Sequence, residues 1–300
     1  MLIMLLFTFV SCTAAKEYTV TFNLGDGREP ICATVLRGDV NYTPDTPERE
    51  GFVFGGWYEN SACTVPFNFS TPIWSNKSAY ALWLPDAVGF GNLIATEGLT
   101  STVKIHFEQF DFLGSGTLSL GSGVIYRLSD GYYYCLTNEH VVRCNSTPWR
   151  VNYRVYDAFG NEYTAELVGK ADSQYDLAVL KFKKNVSNTE QELSVATLAE
   201  RDAKVGELLA SVGNPGGLVN TVTYGECTEY AKVTVEGGSG VTFPVGVHSA
   251  PLDSGSSGGG VFNVGLELIG INFAAKDNVS AFIQITKVRE FLSQDPEFLG

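Results

Sequence analysis

The amino-acid sequence predicts a mainly β protein, and three observations lead to this fold class. The 300 residues include 14 Tyr, 19 Phe and 32 Gly, a composition typical of strands and tight turns. Apolar residues alternate with polar ones in many short stretches, and Gly, Asn and Asp stand between these stretches. A hydrophobic content of 44% suffices for packed cores. The composition argues against coiled coils and helical bundles, and the length corresponds to about two domains.

Residues 1–16 are predicted to be an export signal. Met1–Val10 is almost wholly apolar, and small residues follow it. This run is too short to span a bilayer, which needs about 20 residues, but it suits the apolar region of a cleaved signal peptide. Phe9–Cys12 is also similar to the bacterial lipobox, which implies a lipid anchor on Cys12. Free secretion, a lipid anchor and a buried N-terminal strand therefore remain open.

Residues 17–84 are predicted to form one small domain. Tyr18, Val20 and Phe22 alternate with polar residues, which indicates a strand with one buried face. Gly25–Gly27 then turns the chain. Such a block holds only a small core, which aromatic side chains fill efficiently.

This block resembles the β-grasp-like repeats of bacterial surface proteins, the internalin B-repeat type. The resemblance rests on YTVTFNLGDG at residues 18–27, REGFVFGGWY at residues 49–58 and FNFSTPIWSNKSAYALW at residues 67–83. It implies an exported bacterial protein whose small N-terminal β-grasp-like domain serves as a spacer or contacts a cell-surface component.

A second domain is predicted over residues 103–300. Residues 85–102 are expected to be a linker, because glycine recurs there without clear periodicity. The predicted strands are Val103–Phe107, Gly123–Arg127, Tyr132–Thr137, Val151–Tyr156, Leu177–Phe182, Leu208–Val212, Ala231–Val235, Leu268–Phe273 and Ala281–Ile285. Short strands at this spacing predict a sandwich or barrels, and one helix is predicted at Thr286–Ser293.

Three side chains of this domain are candidates for nucleophilic catalysis. His140 lies at the polar end of an apolar stretch, and Asp176 heads another, where a carboxylate needs a partner. Ser257 lies in the glycine-rich stretch 255–260, which suits a flexible linker but is flanked by apolar strand patterns. Glycines allow a turn whose N–H groups converge on an oxyanion. The order His, Asp, Ser along the chain is that of chymotrypsin-type proteases.

Residues 102–293 resemble HtrA-like serine proteases of the trypsin fold. Matching stretches occur in order as GSGVI at 121–125, LTNEHVV at 136–142, DLAVLK at 176–181, GNPGGL at 213–218 and GSSGG at 255–259. The resemblance implies a trypsin-like double β-barrel with a C-terminal helix. Members of the family often carry a C-terminal PDZ domain, and none is expected here because Gly300 lies seven residues past the predicted helix. It also implies that His140 is the general base, Asp176 orients His140, Ser257 is the nucleophile, and the N–H groups of Gly255 and Ser257 form the oxyanion hole.

The nucleophile loop departs from the family pattern at two positions. Ser256 stands where the family usually has Asn, and Gly260 stands where it usually has Pro. The extra glycine is expected to loosen the oxyanion hole.

The remaining His and Cys residues have no assigned chemistry. His106 is expected on a sheet face, and His248 belongs to no motif. Cys32–Cys63 and Cys135–Cys144 are the pairs to test as disulfides, and the sequence has no CxxC motif. No cofactor or metal site is predicted.

The expected function is that of an exported serine endopeptidase, which hydrolyses unfolded or flexible protein substrates through an acyl-enzyme. A first alternative is a non-catalytic surface-binding or adhesion protein built on a trypsin-like scaffold. A second is a protease that stays latent until a partner orders loops such as residues 236–240. The net charge of −13 and the lack of a Lys/Arg cluster argue against sequence-independent binding of nucleic acid.

Overall fold

The computed structural model describes residues 15–299, apart from residues 41, 62, 145–146, 185–191, 218–220, 234–239 and 277–278. Most of the predicted signal segment, Cys12 and most of the loop at 236–240 lie outside the described residues. The chain divides into two compact units, residues 1–86 and residues 87–300.

The N-terminal unit is a four-stranded sheet. Its strands are β1 (Glu17–Asn23), β2 (Ile31–Leu36), β3 (Phe52–Tyr58) and β4 (Lys77–Pro85). The order across the sheet is β2-β1-β4-β3, with β1 and β4 parallel and the other neighbours antiparallel. The small N-terminal β domain predicted from the sequence is therefore confirmed.

Aromatic rings fill the core of this unit. Phe22 is fully buried, and its ring centroid lies 4.9 Å from that of Trp57. Phe54 and Trp57 pack against the same core although they are three residues apart, because a β-bulge interrupts the register between Phe54 and Gly56. Gly56 has a φ of 113°, a conformation that favours glycine. The GGW part of the repeat motif thus turns the Trp57 ring inward.

The expected linker contains helical structure. Residues Ala87–Leu93 form α1, and Ile94–Gly98 continue it as one π-helical turn. Phe90 and Ile94 are buried in the core of the C-terminal unit. The spacing i, i+4 places both side chains on one helical face. Because this apolar pair is buried, the segment is part of the C-terminal unit and not a linker. The glycines around the pair made its helical spacing hard to recognise in the sequence.

The first half of the C-terminal unit is a closed six-stranded barrel. Its strands are β5 (Thr102–Phe110), β6 (Gly116–Ser129), β7 (Tyr132–Thr137), β8 (Arg150–Tyr156), β9 (Glu162–Asp172) and β10 (Leu177–Lys183). They close in the order β10-β7-β6-β5-β8-β9. The strand β9 was not predicted, because its outward positions carry charged residues and its alternation is imperfect.

The second half is another barrel. Its strands are β11 (Thr197–Leu198), β12 (Leu208–Gly213), β13 (Thr221–Ala231), β14 (Val245–His248), β15 (Gly260–Asn263), β16 (Glu267–Lys276) and β17 (Val279–Gln284). The order is β11-β16-β15-β12-β13-β14-β17, and the pairing of β16 with β17 closes the ring. The trypsin-like double barrel is therefore confirmed.

Some details of this half differ from expectation. The strand expected at Ala231–Val235 is wrong at its start, because β13 ends at Ala231, and residues 234–235 lie outside the described part. The predicted C-terminal helix is present as α3 (Ile285–Leu292), followed by α4 (Pro296–Leu299). Val288, Phe291 and Leu292 bury the inner face of α3.

The five cysteines of the described residues are free thiols, so neither pair proposed for testing is a disulfide here. Among the described residues, no helix is both long and apolar enough to cross a membrane.

Candidate active site

The first barrel holds a histidine and an aspartate in direct contact. The His140 Nδ1 atom lies 2.8 Å from Asp176 Oδ2, and the backbone N–H of His140 donates to Asp176 Oδ1 at 3.0 Å. Asp176 is fully buried, whereas 35% of the His140 side chain is exposed. A buried carboxylate only accepts hydrogen bonds when ionised, so this contact places the proton of the neutral imidazole on Nδ1. Nε2 is then left as the basic atom.

The local sequence explains this geometry. The chain leaves β7 and forms the short helix α2 (Glu139–Val142), whose Val141 and Val142 side chains are buried in the first barrel. Asp176 precedes β10 with a φ of 52°, a left-handed conformation that Asp adopts more readily than most residues. The Asn138 amide donates to the Asp176 carbonyl oxygen at 2.9 Å and holds this turn.

Ser257 lies in the loop before β15, which we call the nucleophile loop (residues 251–259). Its neighbours Gly255 and Gly258 have φ angles of 96° and 86°. A Cβ atom at position 255 would lie 2.7 Å from Asn214 O, and one at position 258 would overlap the Ser122 carbonyl oxygen. The glycines are therefore required both by backbone conformation and by close packing. The loop is a tightly packed turn, which excludes the linker interpretation.

Two peptide units of this loop are fixed through their carbonyl groups. Ser254 O accepts from Gly216 N–H at 2.6 Å, and Ser256 O accepts from Gly259 N–H at 2.9 Å. In a trans peptide the C=O and the following N–H point in opposite directions. The Gly255 and Ser257 N–H groups are therefore directed away from these contacts, and neither donates to any group among the described residues.

Hydrogen bonds tie the nucleophile loop to the first barrel. The backbone N–H of Ser122 donates to Ser257 O at 2.8 Å, and the Thr137 hydroxyl donates to Ser122 O at 2.7 Å. Thr137 is the last residue of β7, three positions before His140. Ser257 is thus joined through Ser122 to the end of β7 from which the chain continues to His140, while no hydrogen bond joins the Ser257 hydroxyl to the His140 ring.

The two departures from the family pattern leave the loop well packed. Ser256 is buried, and its N–H donates to Asp253 O at 2.9 Å. Gly260 lies in β15, where it pairs with Val212 on one side and Ile271 on the other. Gly260 therefore belongs to a central strand, and the expected loosening of the oxyanion hole stays a prediction.

The other two histidines lie away from this constellation. His106 faces outward from β5 and packs on the Tyr156 ring at 4.6 Å, as expected for a sheet face. His248 is 1% exposed and its Nε2 lies 3.1 Å from Asn272 Oδ1. Burial lowers the pKa of His248 to about 4.

Sequence reasoning missed the residues that hold this site together. Ser122, Thr137, Asn138 and Asn214 are each at most 1% exposed, and all make side-chain hydrogen bonds around the site. Their signal in the sequence is a polar residue inside an apolar or glycine-rich motif, where burial demands a partner.

Comparison with known proteins gives matches to both units. Residues 121–271, half of the chain, match the trypsin-like peptidase domain family. Residues 18–81 match the Listeria-Bacteroides repeat domain.

Several curated proteins are similar to the C-terminal unit. A probable periplasmic serine protease of the do/HhoA-like type from Haemophilus influenzae is 37% identical over 172 residues, which cover 56% of this chain and 34% of that protein. The periplasmic pH-dependent serine endoprotease DegQ of Escherichia coli is 35% identical, over 52% of this chain and 31% of its own length. The serine protease Do-like HtrA of Bacillus subtilis is 33% identical, over 63% and 40%. The matched region thus spans only about a third of the length of these relatives.

Proposed function

The chain belongs to the trypsin-like peptidase family, and on this basis we propose that it is a serine endopeptidase whose triad is His140, Asp176 and Ser257. The observation that carries the proposal is the contact of 2.8 Å between Asp176 and His140 in the first barrel. The nucleophile loop is hydrogen bonded to the same barrel through Ser122. Relatives of the matched region carry the name serine protease or serine endoprotease.

The proposed reaction starts with the proton of Ser257. His140 Nε2 takes this proton as Ser257 Oγ attacks the carbonyl carbon of the scissile peptide bond. His140 then donates the proton to the leaving amine, and an acyl-enzyme on Ser257 remains. His140 Nε2 next takes a proton from water as the water oxygen attacks the ester carbonyl. The imidazolium returns this proton to Ser257 Oγ as the ester C–O bond breaks and the acid leaves. Asp176 remains ionised and stabilises the imidazolium during both steps.

The oxyanion of each tetrahedral intermediate would accept hydrogen bonds from Gly255 and Ser257. Two features support this assignment: both N–H groups lack another acceptor among the described residues, and the carbonyl groups of their peptide units are fixed. Preorganised donors of this kind contribute strongly because they need no rearrangement when charge develops.

We propose an exported location and substrates that are unfolded or flexible proteins. Support comes from the apolar N-terminal stretch of the sequence and from relatives that carry the word periplasmic in their names. The repeat unit is proposed to contact a component of the cell surface. Free secretion and a lipid anchor on Cys12 remain the two forms of this proposal.

The test is digestion of unfolded casein by residues 17–300, beside the Ser257→Ala variant. We expect cleavage by the parent chain and none by the variant, with labelling of Ser257 by a serine-directed phosphonate. Mapped cut sites give the preference for the residue before the cleaved bond. Absence of both cleavage and labelling would favour the non-catalytic surface protein, whereas labelling without cleavage would indicate a gated or narrow specificity.

A further inference from the structure

The Ser122 hydroxyl occupies a position that the proposed mechanism does not use. Ser122 lies in β6, is fully buried, and stands between the glycines of the GSGVI motif. Its O–H donates to Gly255 O at 2.7 Å, and its oxygen accepts from the backbone N–H of Asn214 at 2.8 Å and from the Asn214 amide at 3.3 Å. A hydroxyl has one proton and two lone pairs, so all its hydrogen-bonding capacity is used.

One of these contacts fixes the centre of the nucleophile loop. The peptide unit that joins Gly255 to Ser256 is held at both ends, since Ser122 Oγ–H binds its oxygen and its N–H donates to Asp253 O. The main-chain N–H of Ser122 binds Ser257 O in addition. Ser122 therefore binds the carbonyl oxygens of both Gly255 and Ser257, the two residues whose N–H groups are proposed to form the oxyanion hole.

The other contacts fix the loop that faces Gly255. Asn214 is 1% exposed, and its amide also donates to Val103 O at 3.1 Å in the first barrel. Two residues later, Gly216 N–H donates to Ser254 O and sets the direction of the Gly255 N–H. The Ser122 hydroxyl thus joins the nucleophile loop, at Gly255, to the turn at Asn214 that packs against it.

We propose that Ser122 is a positioning residue for the oxyanion hole, acting through its hydroxyl on Gly255 and on the turn at Asn214. This inference rests on the proposed function and adds a residue to it. Loss of the hydroxyl removes the donor to Gly255 O in a buried place and one contact of the Asn214 N–H, which favours a rotated peptide in the loop. We expect contacts with the rest of the substrate chain to persist.

The kinetic test compares Ser122→Ala with Ser119→Ala. Ser119 lies on the same strand, and its hydroxyl makes no hydrogen bond among the described residues. We expect Ser122→Ala to lower kcat by about 10- to 100-fold, with KM changed by less than about three-fold, because the lost contacts act on transition-state stabilisation. Ser119→Ala is expected to match the parent chain. An unchanged kcat in Ser122→Ala would overturn the proposal, and so would a loss confined to KM.

A matched pair guards against a general packing defect. Ser122→Thr and Ser122→Val have side chains of nearly the same volume and differ in the hydroxyl. We expect the Thr variant to retain more activity than the Val variant by about 10-fold or more. Equal activities of the two variants would refute a role for the hydroxyl.

Hydrogen exchange separates this proposal from the proposed function, since it requires no turnover. The amides of Ser256, Gly258 and Gly259 are hydrogen bonded in the parent chain. In Ser122→Ala and Ser122→Val, we expect faster exchange at these amides and unchanged exchange in β8 and β10. Unchanged exchange in the nucleophile loop would overturn the positioning role even if the protein were an active protease. Faster exchange in the two variants, beside a parent chain that neither cleaves casein nor is labelled, would retain the positioning role in the loop and reject the protease function.

Discussion

The two barrels contribute to the candidate site in different ways. The first barrel offers a side-chain pair, His140 and Asp176, in which one carboxylate binds both the ring and the backbone of the histidine. The second barrel offers Ser257 on a loop whose geometry comes from backbone hydrogen bonds and from glycines at positive φ. Substitution of His140 or Asp176 is therefore expected to disrupt the first half of the site. The second half is disrupted by any change that displaces the backbone of the nucleophile loop.

The largest expected effect is that of Asp176→Asn. An amide in this place still donates or accepts one hydrogen bond, but it favours the wrong imidazole tautomer and removes the charge that stabilises the imidazolium. In related triads this change costs about 10⁴-fold in kcat with the geometry intact. Kinetics on an unfolded protein substrate measure it.

The control for this variant is Asp157→Asn. Asp157 is a second buried aspartate of the first barrel, and its carboxylate accepts from the Tyr163 hydroxyl and from loop N–H groups. We expect it to lower stability while kcat stays near that of the parent chain. Similar kcat losses in the two variants would show that the Asp176 effect is structural.

The second effect tests the backbone half through Gly258→Ala. Gly258 has a φ of 86°, and its Cβ would overlap Ser122 O and lie 2.5 Å from Thr137 Oγ1. We expect the loop to shift and phosphonate labelling to slow by about 10²- to 10³-fold, as for loss of an oxyanion donor. Rates of labelling at matched probe concentration give the ratio.

Gly160→Ala separates conformational strain from steric overlap. Gly160 also has a φ of 86°, but a Cβ atom there meets nothing within 4 Å. This variant is expected to cost about 1 kcal/mol of stability, from the strained φ alone, and to label like the parent. If both glycine variants label normally, the tight fit of Gly258 has no catalytic consequence.

A third effect concerns pH and the second barrel. The pKa of His248 is about 4 when folded, because burial disfavours the charged ring, and about 6.5 when unfolded. Between these two pH values the unfolded state therefore binds more protons than the folded state. The contribution of neutral His248 to the free energy of unfolding is complete above pH 6.5 and is lost as pH falls towards 4. It amounts to about 3 kcal/mol. The groups that face His248 are Asn272 and Phe282, with Cys227 and Ser280 as its strand partners.

Denaturant unfolding at pH 7 and pH 4 measures this contribution in the parent chain and in His248→Gln. The glutamine amide offers a donor to Asn272 but does not titrate. Acidification should therefore lower the stability of His248→Gln by roughly 3 kcal/mol less than that of the parent chain. An equal loss of stability in both proteins would assign the acid sensitivity to other groups.

The smallest effect is that of an ion pair beside the site. Arg143 and Glu139 pair along α2 at the i, i+4 spacing, with 31% and 12% of their side chains exposed. Arg143→Met should lower stability by less than about 1 kcal/mol and leave kcat nearly unchanged. Thermal unfolding and kinetics check both statements, and a large loss of kcat would give this pair a catalytic function that its geometry does not suggest.

Sequence patterns were sufficient for the features that depend on side-chain type. Alternation predicted most strands of the first barrel, and the bounds of Tyr132–Thr137 agree with those of β7. Motif order singled out His140, Asp176 and Ser257, since each combines an unusual polar residue with an apolar context.

Features that depend on tertiary packing were not predictable in this way. The glycines of residues 85–102 suggested a linker, yet burial of Phe90 and Ile94 makes the segment helical. The strand β14 contains two valines, a glycine and a buried histidine, so its four residues carry little alternation. The contribution of Ser122 depends on groups more than 90 positions away in the chain, which no local pattern encodes.

The contacts of Ser122 also bear on the order of events during folding. Its N–H binds Ser257 O across the two barrels, and its own carbonyl group binds Thr137 beside His140. A folding intermediate with one barrel closed and the other open therefore lacks a shaped nucleophile loop. If the protein is the protease proposed above, peptide-bond cleavage would begin only after both barrels have closed, and completion of the fold would limit premature self-digestion by a nascent chain.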